Sequence, residues 1–174
     1  MRVIFRLFLD LCLFRKAPQD IPYSVFLFLL TLVLNNALEL MSMLFLVEES
    51  RRPMLADALQ YAAIKTTLFI VIIYIIMYVL GFKNRVLQTL TAFEGADTVL
   101  GLVLLIVGLG LSLLPEGSPL VILIIMLFLG WRLAVHSNIF RHALSISLFT
   151  AGFLAVGLFF LEVILEKKLS PVLM

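Results

Sequence analysis

The sequence predicts an all-α protein: a polytopic bundle of about five transmembrane helices, preceded by an amphipathic interfacial helix. Of its 174 residues, 63% are hydrophobic and only 14% are charged, whereas a soluble domain is nearer half apolar and a quarter charged. The mean hydropathy is +1.18. A domain of this size cannot bury so much apolar surface, so the apolar side chains must face lipid or each other. We therefore expect one membrane domain over residues 1–174.

The amphipathic helix is predicted over residues 1–16. Arg2, Arg6 and Asp10 recur every four positions and share one helical face, while most other side chains in this stretch are apolar. This pattern is typical of a helix that lies in the headgroup layer. The alternative interpretation is that these residues form the start of the first span.

Five apolar segments are each close to the length of about 20 residues that a helix needs to cross the hydrocarbon core. Polar breaks at 48–53, 83–85 and 115–119 separate several of them. Pro22 suits the first turn of the first helix, where no backbone donor is missed. The predicted spans are residues 22–46, 59–80, 88–114, 119–136 and 143–165.

The distribution of basic residues favours a cytoplasmic amino terminus and an outside carboxyl terminus. With this orientation the cytoplasmic ends hold Arg2, Arg6, Arg15, Lys16, Lys83, Arg85, Arg132 and Arg141, whereas the outer ends hold Arg51, Arg52, Lys167 and Lys168. The short loops leave no room for a separate soluble domain. We expect a bacterial inner (cytoplasmic) membrane protein.

Ionisable residues within the predicted spans fall into two groups, because a charge in lipid needs a partner or water. The outer group contains Glu39 and Lys65, which lie at equal distance from the loop joining their helices and are expected to form an ion pair. Glu162 and Asn35 are candidates to extend this outer group into a network. Three interpretations stay open: an ion-coupled site, a structural pair, or a lysine that snorkels to the headgroups.

The inner group is predicted at the cytoplasmic mouth of spans three and four. Glu94 and Asp97 stand near the start of span three, where the helix dipole favours acids. Pairing of either carboxylate with Arg132 of span four is expected. The basic members are Arg132, His136 and Arg141. Acid–base chemistry or a bound metal ion here is a weaker alternative to a solvated mouth that contacts lipid headgroups.

Small residues repeat every four positions at the start of span five, and such a stripe lets another helix approach closely. The stripe consists of Ala143, Ser147, Ala151 and Ala155. We expect a role in helix packing, with a partner helix in this chain or in a second subunit.

Motifs for nucleotide binding, serine hydrolysis and zinc proteolysis are absent from the sequence. Cys12 is the single cysteine, so an internal disulfide and a cysteine–histidine metal site are excluded. The net charge of +2 is too small and too scattered for a nucleic-acid partner. The sequence predicts no catalytic residue, metal or cofactor. The partners that it predicts are membrane lipid, and other membrane proteins or a second copy of the chain.

Four short stretches are similar to the bacterial Yip1-like membrane domain. They are residues 15–24 (RKAPQDIPYS), 84–92 (NRVLQTLTA), 131–135 (WRLAV) and 141–144 (RHAL). The resemblance implies five spans with the amino terminus in the cytoplasm and the carboxyl terminus outside. The long amino-terminal region of eukaryotic members is absent, which argues against a vesicle-trafficking role. For bacterial members the resemblance implies a membrane scaffold or accessory subunit.

The sequence therefore leads to a first hypothesis and two alternatives. The first is a non-enzymatic integral membrane protein that organises protein partners or lipids. The second is a small transporter or channel subunit that uses Glu39 and Lys65, although an odd number of spans without an inverted repeat is unlike a standard secondary transporter. The third, an intramembrane enzyme, would act on lipid at the inner group.

Overall fold

A computed structural model describes residues 2–46, 54–112 and 118–169. In these ranges the chain forms six α-helices and no strand. It also forms two short 3₁₀ turns, the first at Pro18–Asp20 and the second at Lys83–Arg85. Five of the helices are long and apolar enough to cross a membrane. They expose large apolar side chains such as Phe26, Val79, Leu127 and Phe149, which water would not solvate. The predicted all-α bundle is confirmed, and the chain is an integral membrane protein.

Helix α1 (Arg2–Cys12) packs against a later helix, α4 (Val86–Leu111), by its apolar face. Phe8, Leu11 and Cys12 are buried there. The closest approach is at Gly95, where a Cβ atom would lie 2.2 Å from the Phe8 ring. Glycine is therefore required for this contact. The predicted amphipathic helix exists, and protein covers much of its apolar face.

Helices α2 (Val25–Leu46) and α3 (Leu55–Val79) form the first two spans. Pro22 lies outside α2, since Ser24 caps the helix by accepting a hydrogen bond from Leu27 N at 3.2 Å. Helix α3 is followed by Gly81 with a φ of 83°, the left-handed geometry that glycine adopts after helices. The predicted loop at 48–53 lies outside the described residues.

Helix α4 is the centre of the bundle, in contact with α1, α2, α3 and the fourth span. Its residues 89–96 are buried without a break. Phe93 is fully buried and packs edge to face on Phe69, His136 and Phe140 at centroid distances of 5.5, 5.0 and 5.0 Å. These aromatic contacts hold α3 and the fourth span against α4.

Helix α5 (Pro119–Leu144) ends eight residues beyond the predicted end of span four at position 136. Its residues 135–140 are buried although several are polar, because α4 and the first 3₁₀ turn pack there. Helix α5 is terminated by Ser145, which has a φ of 54°. Helix α6 (Leu148–Leu169) follows. Of the predicted turn at 115–119, residues 115–117 lie outside the described residues.

Candidate functional site

The two acidic residues of α4 lie inside that helix and not at its start. Glu94 is the ninth residue of α4 and Asp97 the twelfth. At 1.5 Å per residue they stand about 12 and 16 Å from the first residue of the helix. The helix-dipole explanation for these acids is therefore wrong, since the dipole acts only within the first turn. Contacts with other helices must stabilise them instead.

Glu39 of α2 and Lys65 of α3 are brought together, with Lys65 Nζ bonded to Glu39 Oε1. The ammonium also lies 5.9 Å from the centre of the Tyr61 ring, within the range of a cation–π contact. About a quarter of each charged side chain is exposed. Lys65 thus points at protein partners and does not extend to the headgroups.

Two neighbouring asparagines of α2 connect the helix to both of its partners. Asn35 Nδ2 donates a hydrogen bond of 2.9 Å to Glu94 Oε2 on α4. Asn36 Oδ1 accepts a hydrogen bond of 3.0 Å from the Thr66 hydroxyl on α3. Among the described residues no ion pair includes Glu94. The Glu94 carboxylate is buried with a neutral amide as its hydrogen-bond donor.

Arg132 of α5 lies between two carboxylates. Its Nε atom is 3.3 Å from Asp97 Oδ1, and its Nη2 atom is 3.0 Å from Glu162 Oε2 on α6. Asp97 Oδ1 also lies 2.9 Å from His136 Nε2. One acid of α4 is thus held by two side chains of α5, four residues apart on the same face.

The outer and inner groups are one layer in the structure. Glu162, expected beside Glu39 and Lys65, is bonded to Arg132, and Asn35 is bonded to Glu94. The reason is the length of α5: because the helix continues to Leu144, Arg132 lies about 18 Å from its end. Glu162 lies about 21 Å from the start of α6. Both residues lie well inside their helices and away from the helix ends.

This layer lines a partly open cavity of about 550 Å³, to which all five spanning helices contribute. A volume of this size accommodates a small organic molecule. The charged side chains that line it are Glu39, Lys65, Glu94, Asp97, Arg132 and Glu162, and the remaining lining is mostly apolar, with Tyr61, Phe69, Phe128 and Phe159 as its aromatic members.

The cavity carries an excess of negative charge. Four carboxylates line it against two permanent cations, so the formal charge of the lining is −2 when all four carboxylates are ionised. Both cations are already engaged, Lys65 by Glu39 and Arg132 by two acids. Groups of three or more metal-binding side chains with suitable geometry are absent from the described residues.

Arg141 stands apart from the rest of the inner group. It is exposed in the last turn of α5 and does not line the cavity. The five residues predicted as one group are therefore not one cluster. Four of them belong to the charged layer, and Arg141 belongs to the helix end.

The predicted small-residue stripe is divided between two helices. Ala143 is in α5, whereas Ala151 and Ala155 are in α6, and all three are buried in the core. Ser147 is exposed and caps α6, accepting a hydrogen bond of 3.2 Å from Thr150 N. The buried alanines serve packing between α5 and α6 within this chain.

Sequence reasoning missed two residues of this layer and one contact beside it. Asn36 and Thr66 were not singled out, although each is a polar residue inside a span. Trp131, one residue before Arg132, donates a hydrogen bond of 3.1 Å to Cys12 O and packs on Phe128. The exclusion of polar groups from lipid would have identified the first two, whereas the Trp131 contact depends on the position of α1.

Comparisons with known proteins identify no relative. No family model, no curated protein and no solved structure matches this chain.

Proposed function

We propose that this chain is a small proton-conducting transport protein, or the membrane subunit of one, and that the central cavity holds the groups that carry the proton. The observation that carries the proposal is the convergence of charge. Each spanning helix places at least one charged side chain on the same cavity. An ion pair that only fixes helix register needs two helices, and here five spanning helices take part, in segments where each charge needs a partner or water.

Two groups support proton transfer through this layer. Glu94 has a neutral amide partner, so it can gain or lose a proton without breaking an ion pair. His136 contacts Asp97 at 2.9 Å, and histidine is the side chain best suited to proton exchange near neutral pH. The charged and titratable groups around them are Glu39, Lys65, Asp97, Arg132 and Glu162.

The location is part of the same proposal: a bacterial inner membrane, with the amino terminus in the cytoplasm and the carboxyl terminus outside. Contacts near one end of the bundle support this orientation. Gln19 bonds to His142 O, and Arg85 lies 3.4 Å from both Ala143 O and Ser145 Oγ. They bring the basic segments 15–16, 83–85 and 141–142 close to one another, which is typical of a cytoplasmic side. Arg51 and Arg52 lie outside the described residues.

Membership of the Yip1-like family stays a proposal, and so does the organisation of partners or lipids. The cavity adds a specific reason to prefer transport, since a scaffold needs no charged space at the centre of its own bundle. The subunit form of the proposal accounts for the odd number of spans, because a second copy or another chain would complete the pathway.

Proton flux into proteoliposomes tests the proposal. The full chain would be reconstituted in vesicles that contain a pH-sensitive dye, and a potassium diffusion potential would be imposed with valinomycin. We expect faster acidification than in protein-free vesicles, and a rate near the protein-free value for Glu94→Gln. Asp57→Asn is the matched control, because this acid lies in the first turn of α3 and does not line the cavity. Equal rates in wild-type and protein-free vesicles would contradict the proposal.

A further inference from the structure

We propose that the cavity binds an organic cation: a molecule with a positively charged nitrogen or phosphorus centre on an apolar body. This inference rests on the proposed transport function and names the class of substrate. It follows from three properties of the cavity, namely its charge balance, the buried acid Glu94 and the aromatic lining.

The charge balance selects the sign of the ligand. Four carboxylates and two cations line the cavity, and each cation already contacts at least one acid. An anionic ligand would have to displace these bonds and would meet a net negative wall. A cation adds the charge that the layer lacks, and interactions between charges are strong where water is scarce.

Glu94 gives the ligand a point of attachment. Only 4% of this residue is exposed, and it lines the cavity. Its Oε2 atom accepts a hydrogen bond from the Asn35 amide. Among the described side chains no cation forms an ion pair with Glu94. The ionised form of this buried acid is costly without an ion-pair partner, and a ligand that brings a positive charge next to it would stabilise that form.

The rest of the lining decides between an organic cation and a hydrated metal ion. Most of the wall is apolar, and four aromatic side chains belong to it. Aromatic faces attract organic cations, whereas hard metal ions require several oxygen ligands around one point. The described residues hold no such cluster. A volume of about 550 Å³ also exceeds what a single metal ion needs.

The fluorescence of Trp131 can report ligand binding in the cavity. It is the single tryptophan of the chain, and its ring packs 6.2 Å from that of Phe128, which lines the cavity. The purified full chain in mild detergent would be titrated with tetraphenylphosphonium while Trp131 fluorescence is followed. Tetraphenylborate, an anion of nearly the same shape, controls for partition of an apolar ion into the micelle. Isothermal titration calorimetry would confirm each affinity.

We expect saturable binding of the cation and none of the anion. Glu94→Gln should weaken cation binding about tenfold or more, because a charge partner is lost, whereas Glu94→Asp keeps the charge and should retain most of the affinity. Asp57→Asn again serves as the control. Glu162→Gln, which also removes one negative charge from the cavity, tests the same point if Glu94→Gln does not purify as a single species.

Equal binding of both ions, or unchanged cation affinity in Glu94→Gln and Glu162→Gln, would overturn the inference. The result is separable from the flux experiment, since binding is measured without a membrane gradient. Proton flux without cation binding would refute the substrate class and leave transport in place. Cation binding without any flux would establish the site and refute transport.

Discussion

Arg132 Nη2 lies 3.0 Å from Glu162 Oε2, so the last two spans are joined by an ion pair near the middle of the bundle. The same guanidinium contacts Asp97 of α4 at 3.3 Å. Three helices are thus held through one side chain. The planar group with its five donors can meet two carboxylates at once, which an ammonium group does less well.

Removal of this guanidinium should destabilise the protein strongly. In Arg132→Met two carboxylates lose their cation, and breaking a buried pair in this way costs about 3–5 kcal/mol. Arg132→Lys should recover part of the loss. Unfolding by SDS in mixed micelles measures the effect. Arg141→Gln, at an exposed position on the same helix, should have a free energy of unfolding within about 0.5 kcal/mol of the wild-type value. The prediction fails if Arg132→Met is as stable as Arg141→Gln.

The contact between Glu39 and Lys65 can be tested by a double-mutant cycle. Glu39→Gln and Lys65→Met should each lower stability, because each leaves the other charge without its partner. The double variant should be more stable than the sum of the two losses predicts, with a coupling of about 1 kcal/mol. Additive losses in the same SDS assay would show that the two side chains do not interact in solution.

Gly95 should be intolerant of any side chain. A Cβ atom there would lie 2.2 Å from the Phe8 ring, so Gly95→Ala should displace α1 and cost about 1–3 kcal/mol. Limited proteolysis with trypsin at Arg15 and Lys16 would detect the displacement as faster cleavage. Phe8→Ala should restore resistance in part. Gly110→Ala is the matched control, since among the described residues no atom outside its own helix backbone lies within 4 Å of its Cβ position.

Cys12 should resist thiol reagents in the folded protein. Burial and then the nearby Asp97 charge raise the pKa of this thiol from 9.0 to about 12, and only the thiolate reacts. Maleimide labelling at pH 8 should be slow in mild detergent and fast after unfolding in SDS. Because the folded state keeps this proton longer than the unfolded state does, stability should decrease as the pH rises from about 9 to 12. Equally fast labelling of both forms would contradict this.

The spans themselves were predictable because their signal is uniform: no soluble arrangement accommodates such long apolar segments. Glu39 and Lys65 could be placed together because their depth was counted from a short loop common to both helices. Arg132 and Glu162 could not, since their depth was counted from helix ends that were misplaced. Residues 136–142 look like a cytoplasmic turn, yet α4 and the first 3₁₀ turn bury most of them. Tertiary packing therefore decided where α5 ends.

The stripe of small residues failed for a local reason. A spacing of four residues implies one helical face only while the helix continues, and Ser145 in the left-handed region interrupts it. Serine gives no strong signal for such a break, in contrast to the glycine that follows α3.

The packing of α1 against Gly95 has a consequence for how the protein is made. The ribosome completes α1 more than eighty residues before it reaches Gly95, so the helix is synthesised long before its docking surface exists. Until α4 is inserted, the apolar face that carries Phe8 and Leu11 needs another cover, and the membrane interface supplies one. Docking of α1 is therefore a late step of assembly. A bulky fusion at the amino terminus would interfere with this docking step before it disturbs the insertion of any span.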